Sequence, residues 1–118
     1  MNFALRQSTA TVKVSIFMVD ANGVGVTGIA APDTLEISIN NGAFAAMTAD
    51  TGDGFWAEVG HGFYTVTPDA TDTATVGPWK IHVAEAGCLP FDAEGFVYSV
   101  TSYDALFGSV GFRRIYQY

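Results

Sequence analysis

Hydrophobic residues in this chain recur at every second position over several short stretches, and this period of two constrains the fold more than any other feature. The alternation places apolar side chains on one face of a strand and polar ones on the other. It runs through 11–19, 35–39, 79–83 and 96–101. Short β-rich stretches at 55–59 and 63–67 complete the set. We therefore predict a chain built almost entirely of strands.

Turn residues separate these strands at short intervals. Asn22-Gly23, Asn40-Asn41-Gly42 and Gly60-His61-Gly62 are typical of tight reversals, because asparagine and glycine tolerate positive φ. The second turn predicts a hairpin over 35–47. About seven short antiparallel strands with such turn spacing predict an all-β, immunoglobulin-like β-sandwich.

Two segments depart from the strand pattern. Thr67 as N-cap, Pro68 at the first helical position and an acidic first turn predict one short helical turn near 68–74 that crosses between the sheets. The segment 103–107 predicts a last helical turn. We assign residues 1–109 to the sandwich and residues 110–118 to a C-terminal aromatic and basic tail.

The composition predicts an adhesive surface. Of 118 residues, 49% are hydrophobic and 14% are charged, whereas soluble domains carry roughly 25% charged residues. One small core cannot bury all of these hydrophobic side chains, so some apolar surface remains exposed. Exposed apolar surface indicates a binding partner. The net charge of −7 repels phosphate, so we expect no nucleic-acid binding. No segment is typical of a secretion signal or a membrane span, and we expect no membrane association.

The sequence lacks a recognisable catalytic or metal-binding motif. His61 and His82 have no nucleophile or carboxylate at motif spacing. The acidic loop 50–54 does not match the spacing of a calcium loop, and no glycine cluster matches a phosphate cradle. Cys88, the one cysteine, is expected to be a small, buried or half-buried thiol. We expect no enzyme activity, no cofactor and no bound metal.

Aromatic and arginine side chains supply the candidate interface, since these residues dominate protein interfaces. The tail alternates as a strand does, and it either adds to the sheet edge of a neighbour or pairs with its own sheet. Aromatic residues beside the predicted turns either pack in the core or form exposed platforms for a protein or a sugar. The candidate interface residues are Phe112, Arg113, Arg114, Ile115, Tyr116, Tyr118, Phe55 and Trp56.

Several stretches read in order carry a family resemblance. They are Ala4-Leu5-Arg6-Gln7-Ser8 with the following strand, Ile39-Asn40-Asn41-Gly42-Ala43-Phe44-Ala45, Gly62-Phe63-Tyr64-Thr65-Val66-Thr67, Asp69-Ala70-Thr71-Asp72-Thr73, the strand 79–84, Ala86-Gly87-Cys88-Leu89-Pro90 and Tyr103-Asp104-Ala105-Leu106. Over residues 3–107 the chain resembles the N-terminal domain of baseplate upper proteins and fibre proteins of tailed bacteriophages.

The resemblance implies an immunoglobulin-like sandwich that anchors a protein to the virion. In those proteins a shaft or receptor-binding region follows, whereas this sequence stops at Tyr118, so we expect a stand-alone adhesive domain. It would fold in the host cytoplasm and act in the virion as a multi-copy or homo-oligomeric capsid decoration protein. Its partners would be other virion proteins, either the major capsid protein or neck and tail proteins. The alternatives are a neck, tail or baseplate adaptor that anchors a fibre, and a carbohydrate-binding module.

Overall fold

The computed structural model describes residues 2–47 and 55–108. Eight strands and one helix form within these ranges, and the fold is all-β, as predicted. The strands are β1 (Asn2–Arg6), β2 (Val14–Phe17), β3 (Thr34–Ile39), β4 (Ala45–Ala46), β5 (Trp56–Gly60), β6 (Phe63–Val66), β7 (Gly77–Ala84) and β8 (Phe91–Tyr98), and the helix is α1 (Val100–Phe107).

The strands form two sheets. A five-stranded sheet has the order β1-β8-β7-β3-β4, and a three-stranded sheet has the order β2-β6-β5. Neighbouring strands are antiparallel, except that β1 runs parallel to β8. The prediction of antiparallel strands throughout is therefore wrong at β1. This edge strand continues into β2 of the other sheet, so no hairpin sets its direction.

The core lies between the sheets, and alternation places its residues there. Along β7, buried positions alternate with half-buried ones, and Trp79, Ile81 and Val83 are at most 1% exposed. From the other sheet, Tyr64 and Val66 are fully buried. The interpretation of 79–83 as a core-facing strand is confirmed, because period two matches the pleat.

The predicted hairpin over 35–47 forms, and the turn predicted at 60–62 joins a second hairpin. β3 pairs with β4 and β5 with β6, each antiparallel. Asn40 and Asn41 adopt φ of 50° and 63°, which asparagine tolerates better than most residues. In the second hairpin, His61 takes φ 57°. Local turn chemistry thus fixes these reversals.

The segment predicted as a helical turn at 68–74 is a single turn, with a different cap. Asp69 accepts the N–H of Asp72 at 2.8 Å, and the Asp72 carboxylate accepts the N–H of Asp69 at 3.2 Å. This reciprocal arrangement is a capping box. Asp69 therefore occupies the capping position predicted for Thr67. The turn closes on the core, because its Asp72 carbonyl accepts the indole N–H of Trp79 at 3.0 Å.

The last strand and helix begin earlier than the sequence predicts. β8 ends at Tyr98 and α1 starts at Val100, so the predicted strand 96–101 is wrong at its C-terminal end. Ser99 caps the helix, its side chain accepting the Ser102 N–H at 3.2 Å. Along β8, Ala93 and Val97 face the core. The large rings of Phe96 and Tyr98 therefore lie on the outer face.

Candidate interaction surfaces

An aromatic pair lies on the outer face of the three-stranded sheet. Phe17 of β2 and Phe63 of β6 are direct cross-strand partners. Their ring centroids are 4.4 Å apart with planes 26° apart. The rings are 38% and 47% exposed. Each ring thus packs on the other and remains partly exposed to solvent.

Three turns meet beside this pair and extend the apolar surface. The Met18 N–H donates to the Gly62 carbonyl, and the Leu89 N–H donates to the Val19 carbonyl. These bonds join the 20–25, 60–62 and 85–89 turns at one end of the molecule. We call the surface displayed here the apolar end, and it consists of Phe17, Val24, Val59, Phe63 and Leu89, which are 38–69% exposed.

Gly25 makes this end possible. A Cβ at Gly25 would collide with the carbonyl of His61, and one at Gly62 would approach the Gly25 Cα. The two turns therefore touch backbone to backbone. Such an approach fixes the relative position of the turns better than flexible side chains would.

A second aromatic cluster lies where α1 meets the outer face of the five-stranded sheet. Ring centroids are 4.9 Å apart for Phe96 and Tyr98, 5.8 Å for Tyr98 and Phe107, and 4.9 Å for Tyr103 and Phe107. None of the α1 residues is buried, and Leu106 and Phe107 are about half exposed. The helix thus packs on the sheet through partly exposed aromatic rings and not through buried side chains.

Arg6 ties α1 to β1. Its Nε and Nη2 donate to the two carboxylate oxygens of Asp104 at 2.9 and 3.1 Å, and its Nη1 donates to Thr9 Oγ1 at 2.9 Å. The bidentate geometry fixes the helix in rotation as well as position. The same hydrogen bonds lower the pKa of Asp104 below its ordinary value.

We expect this contact to make stability depend on pH in the acid range. Because the folded pKa of Asp104 is lowered from 3.8, its contribution is present above that value and is lost as the pH falls through the folded pKa. Asp104→Asn should therefore lower the urea midpoint near neutral pH, and the gap from the parent should close in acid. A gap that persists unchanged down to acid unfolding would contradict this assignment.

The predicted interface residues lie in different environments. The six tail residues Phe112, Arg113, Arg114, Ile115, Tyr116 and Tyr118 lie outside the described residues. Phe55 is half-buried and packs against the core. Trp56 is buried: its Nε1 donates to the Ile29 carbonyl at 2.9 Å, and its ring stacks on Tyr64 at 4.7 Å. The expectation of an interface role does not fit Trp56, because alternation along β5 turns this residue inward.

Sequence reasoning missed the two surfaces that the structure displays. Phe17 had a signal, since it breaks the polar side of the alternating stretch 11–19. No such signal exists for Val59, which turns outward because the pairing register of β5 and β6 shifts between Glu58 and Gly60. Phe96 and Tyr98 fitted a strand pattern but gave no sign of which face would be covered.

The histidines and the cysteine have ordinary surroundings. His82 Nδ1 lies 2.6 Å from an Asp92 carboxylate oxygen on the exposed sheet face. Burial, and then Glu85 and Asp20, raise the pKa of the Cys88 thiol, which opposes thiolate formation.

Within 2–47 and 55–108, no group of three or more histidine, cysteine or acidic residues could hold a metal ion. The acidic loop 50–54 lies outside the described residues.

None of the described helices combines the length and the apolar character that crossing a membrane requires. Comparison of the chain with protein-family models, with curated proteins and with solved structures found no match.

Proposed function

We propose that this chain is a non-enzymatic structural protein of a tailed-phage virion, a capsid decoration protein that binds neighbouring capsid subunits. The apolar end carries the proposal. Single exposed hydrophobic residues are normal on a protein surface, but a contiguous group of them marks an interaction site. Here five such side chains lie at one end of the molecule: Phe17, Val59 and Phe63 on strands, and Val24 and Leu89 in turns.

The strand order supports an immunoglobulin-like sandwich, the fold that the resemblance implies. The order β4-β3-β7-β8 matches the sheet of C′, C, F and G strands of a variable-type domain, and β2-β6-β5 matches its B, E and D strands. The connection between β6 and β7 contains the capped turn at 69–73, where an E–F corner would lie. The chain departs from antibody domains in having one cysteine, so Trp79 fills the space between the sheets without a disulfide.

Adhesion would follow from burial of the apolar end against a capsid subunit. Burial releases roughly 25 cal/mol per Å² of apolar surface before the entropic costs of association. A patch of this kind binds modestly, but many copies on one symmetric particle raise the total through avidity. The net charge of −7 keeps the exposed remainder soluble.

Two observations weigh against carbohydrate binding as the main role. Sugar stacking requires an open aromatic face. Both tryptophans of the chain, Trp56 and Trp79, are buried. Phe63 stacks on Phe17.

The neck or tail adaptor remains the alternative within the same class, and the number of copies per particle distinguishes the two: a capsid-wide array favours decoration, and a few copies on the tail axis favour an adaptor.

A charge placed at the apolar end should abolish capsid binding without unfolding the domain. Val59 is 69% exposed, so Val59→Glu leaves the core intact but would bury a carboxylate in the interface. We expect at least a tenfold loss of affinity, which corresponds to about 1.4 kcal/mol. Co-sedimentation with empty capsids assembled from the major capsid protein of the same phage measures it.

Val76→Glu is the matched control. Val76 is 41% exposed and belongs to the β6–β7 connection rather than to the apolar end. It should bind as the parent does. Equal binding by the parent and the Val59→Glu variant, or no binding by the parent, would overturn the proposal. Circular dichroism verifies that both variants fold.

A further inference from the structure

An open groove runs along the β3–β4 edge of the five-stranded sheet. It has a volume of about 370 Å³, and its lining includes Pro32, Asp33, Leu35, Glu36, Ala46 and Phe55. Leu35 and Phe55 are partly buried and pack against the core, so they form an apolar floor. This volume lies at the small end of ligand pockets, enough for one anchoring side chain and its neighbours.

Acidic residues also line this groove. Asp33 and Glu36 belong to the lining, and none of its described residues is basic. Glu85 is adjacent, because its carboxylate accepts the Asp33 N–H at 2.8 Å. One Asp33 oxygen accepts the Ala86 N–H at 3.0 Å. Neither ion pair of the described ranges involves Glu36, whose cross-strand neighbour His82 contacts Asp92 instead. The groove therefore suits an aromatic side chain flanked by a cation.

One segment of the chain has this chemistry. Residues 109–118 contain Arg113 and Arg114, two of the five basic residues. None of the 12 acidic residues lies after Asp104. Strand-like alternation would put Arg114 on the same side as Phe112 and Tyr116. An acidic body with one basic, aromatic segment is electrostatically complementary to a second copy of itself.

We propose that the tail of one copy binds in the groove of a second copy. An aromatic ring occupies the apolar floor, and Arg114 pairs with Glu36. This inference rests on the adhesive role proposed for the tail at the sequence level, but it concerns self-association and needs no capsid. If two copies exchange tails reciprocally, the contact builds a two-fold symmetric dimer; if each tail binds the next copy head to tail, the contact is heterologous and builds a ring or an open assembly.

Reaching Glu36 of the same chain would require an extended tail. The tail leaves α1 beside Tyr98, because the ring of Phe107, which precedes Gly108, is 5.8 Å from the Tyr98 ring. Tyr98 is six residues along β8 from Asp92, which aligns with Glu36 two strands away. Strand spacings put that path at roughly 22 Å. Arg114 lies six residues past Gly108 and spans about 20 Å only at full extension. Binding to a second copy does not require the tail to be fully extended.

Charge reversal tests the proposed pair. Light scattering on the full-length chain alone, over a range of concentrations, should give a mass above that of one chain. Arg114→Glu and Glu36→Arg should each weaken association at least tenfold. The double variant should recover it, because the pair is restored with opposite polarity. High salt should weaken association of the parent, as expected for exposed charges.

Glu94→Arg is the matched control, since Glu94 is an exposed acid on the outer face of β8 and away from the groove. It should leave the mass unchanged. A parent that is monomeric at every concentration, or a double variant no better than either single variant, would overturn the inference. Capsid co-sedimentation separates the two ideas: a Glu36→Arg variant that loses self-association but keeps capsid binding supports both, whereas a parent that self-associates but does not bind capsids leaves the groove intact and overturns the proposed function.

Discussion

Replacing Trp79 with alanine should destabilise the domain by about 3–5 kcal/mol, the range for removing a large buried aromatic ring. Trp79 is fully buried, and the Phe3 ring meets it edge-on at 5.7 Å. The substitution also leaves the Asp72 carbonyl without the indole N–H that it accepts at 3.0 Å. Because small domains are stable by only about 5–15 kcal/mol, this loss is a large share of the total free energy of unfolding. Urea denaturation measures the loss.

Two further variants separate packing from hydrogen bonding. Trp79→Phe keeps much of the ring but not the donor, so it should lie between the parent and Trp79→Ala, with the lost indole hydrogen bond accounting for about 0.5–1.5 kcal/mol. Phe44→Ala removes a ring that is 46% exposed and should cost far less than Trp79→Ala. A loss below about 1 kcal/mol for Trp79→Ala would mean that Trp79 is not the centre of the core.

Gly95→Ala should detach β1 from the sheet. Gly95 pairs with Phe3 in the parallel β1–β8 ladder, and the Phe3 ring crosses its bare backbone to reach Trp79. A Cβ at Gly95 would collide with both the carbonyl and the ring of Phe3. Strand glycines often mark such close approaches. Losing the burial of Leu5, which is 1% exposed, should bring the total loss to about 2–5 kcal/mol.

Hydrogen exchange gives the diagnostic measurement for this variant. The amides of β1 should lose protection in Gly95→Ala, while those of the β5–β6 hairpin stay protected as far as the lower global stability allows. Gly87→Ala is the control. Gly87 has φ +83° with no atom within 4 Å of an added Cβ, so it loses stability through backbone strain alone and keeps β1 protected. Unchanged β1 protection in Gly95→Ala would contradict the proposed role of Gly95.

Alternation predicted which residues share a face, but not always which face would be buried. At β7 one face is hydrophobic and the other is polar, so Trp79, Ile81 and Val83 had one possible orientation. At β8 both faces carry apolar residues. The small Ala93 and Gly95 turn inward because Phe3 and Trp79 already fill that space. Phe96 and Tyr98 turn outward, where the rings of α1 meet them.

For the candidate interface too, the sequence predicted the general property but not the individual residues. Composition predicted that apolar surface would remain exposed, and the apolar end agrees with that expectation among the described residues. The particular residues could not be deduced. Trp56 turns inward because its indole N–H finds the Ile29 carbonyl. Val59 turns out at an irregularity of the β5–β6 pairing that has no separate signature in the sequence.

Sequence by itself determined most of the strands, the hairpin turns and the surplus of apolar side chains, because period two and turn chemistry act between residues that are close along the chain. It did not indicate β1 or the first half of β8. Only the tertiary structure decided the parallel docking of β1, the outward rings of β8 and the meeting of three turns at one end. Those features depend on contacts between segments far apart in sequence, such as Phe3 with Gly95 and Gly25 with His61, where one missing Cβ decides whether two backbones can touch.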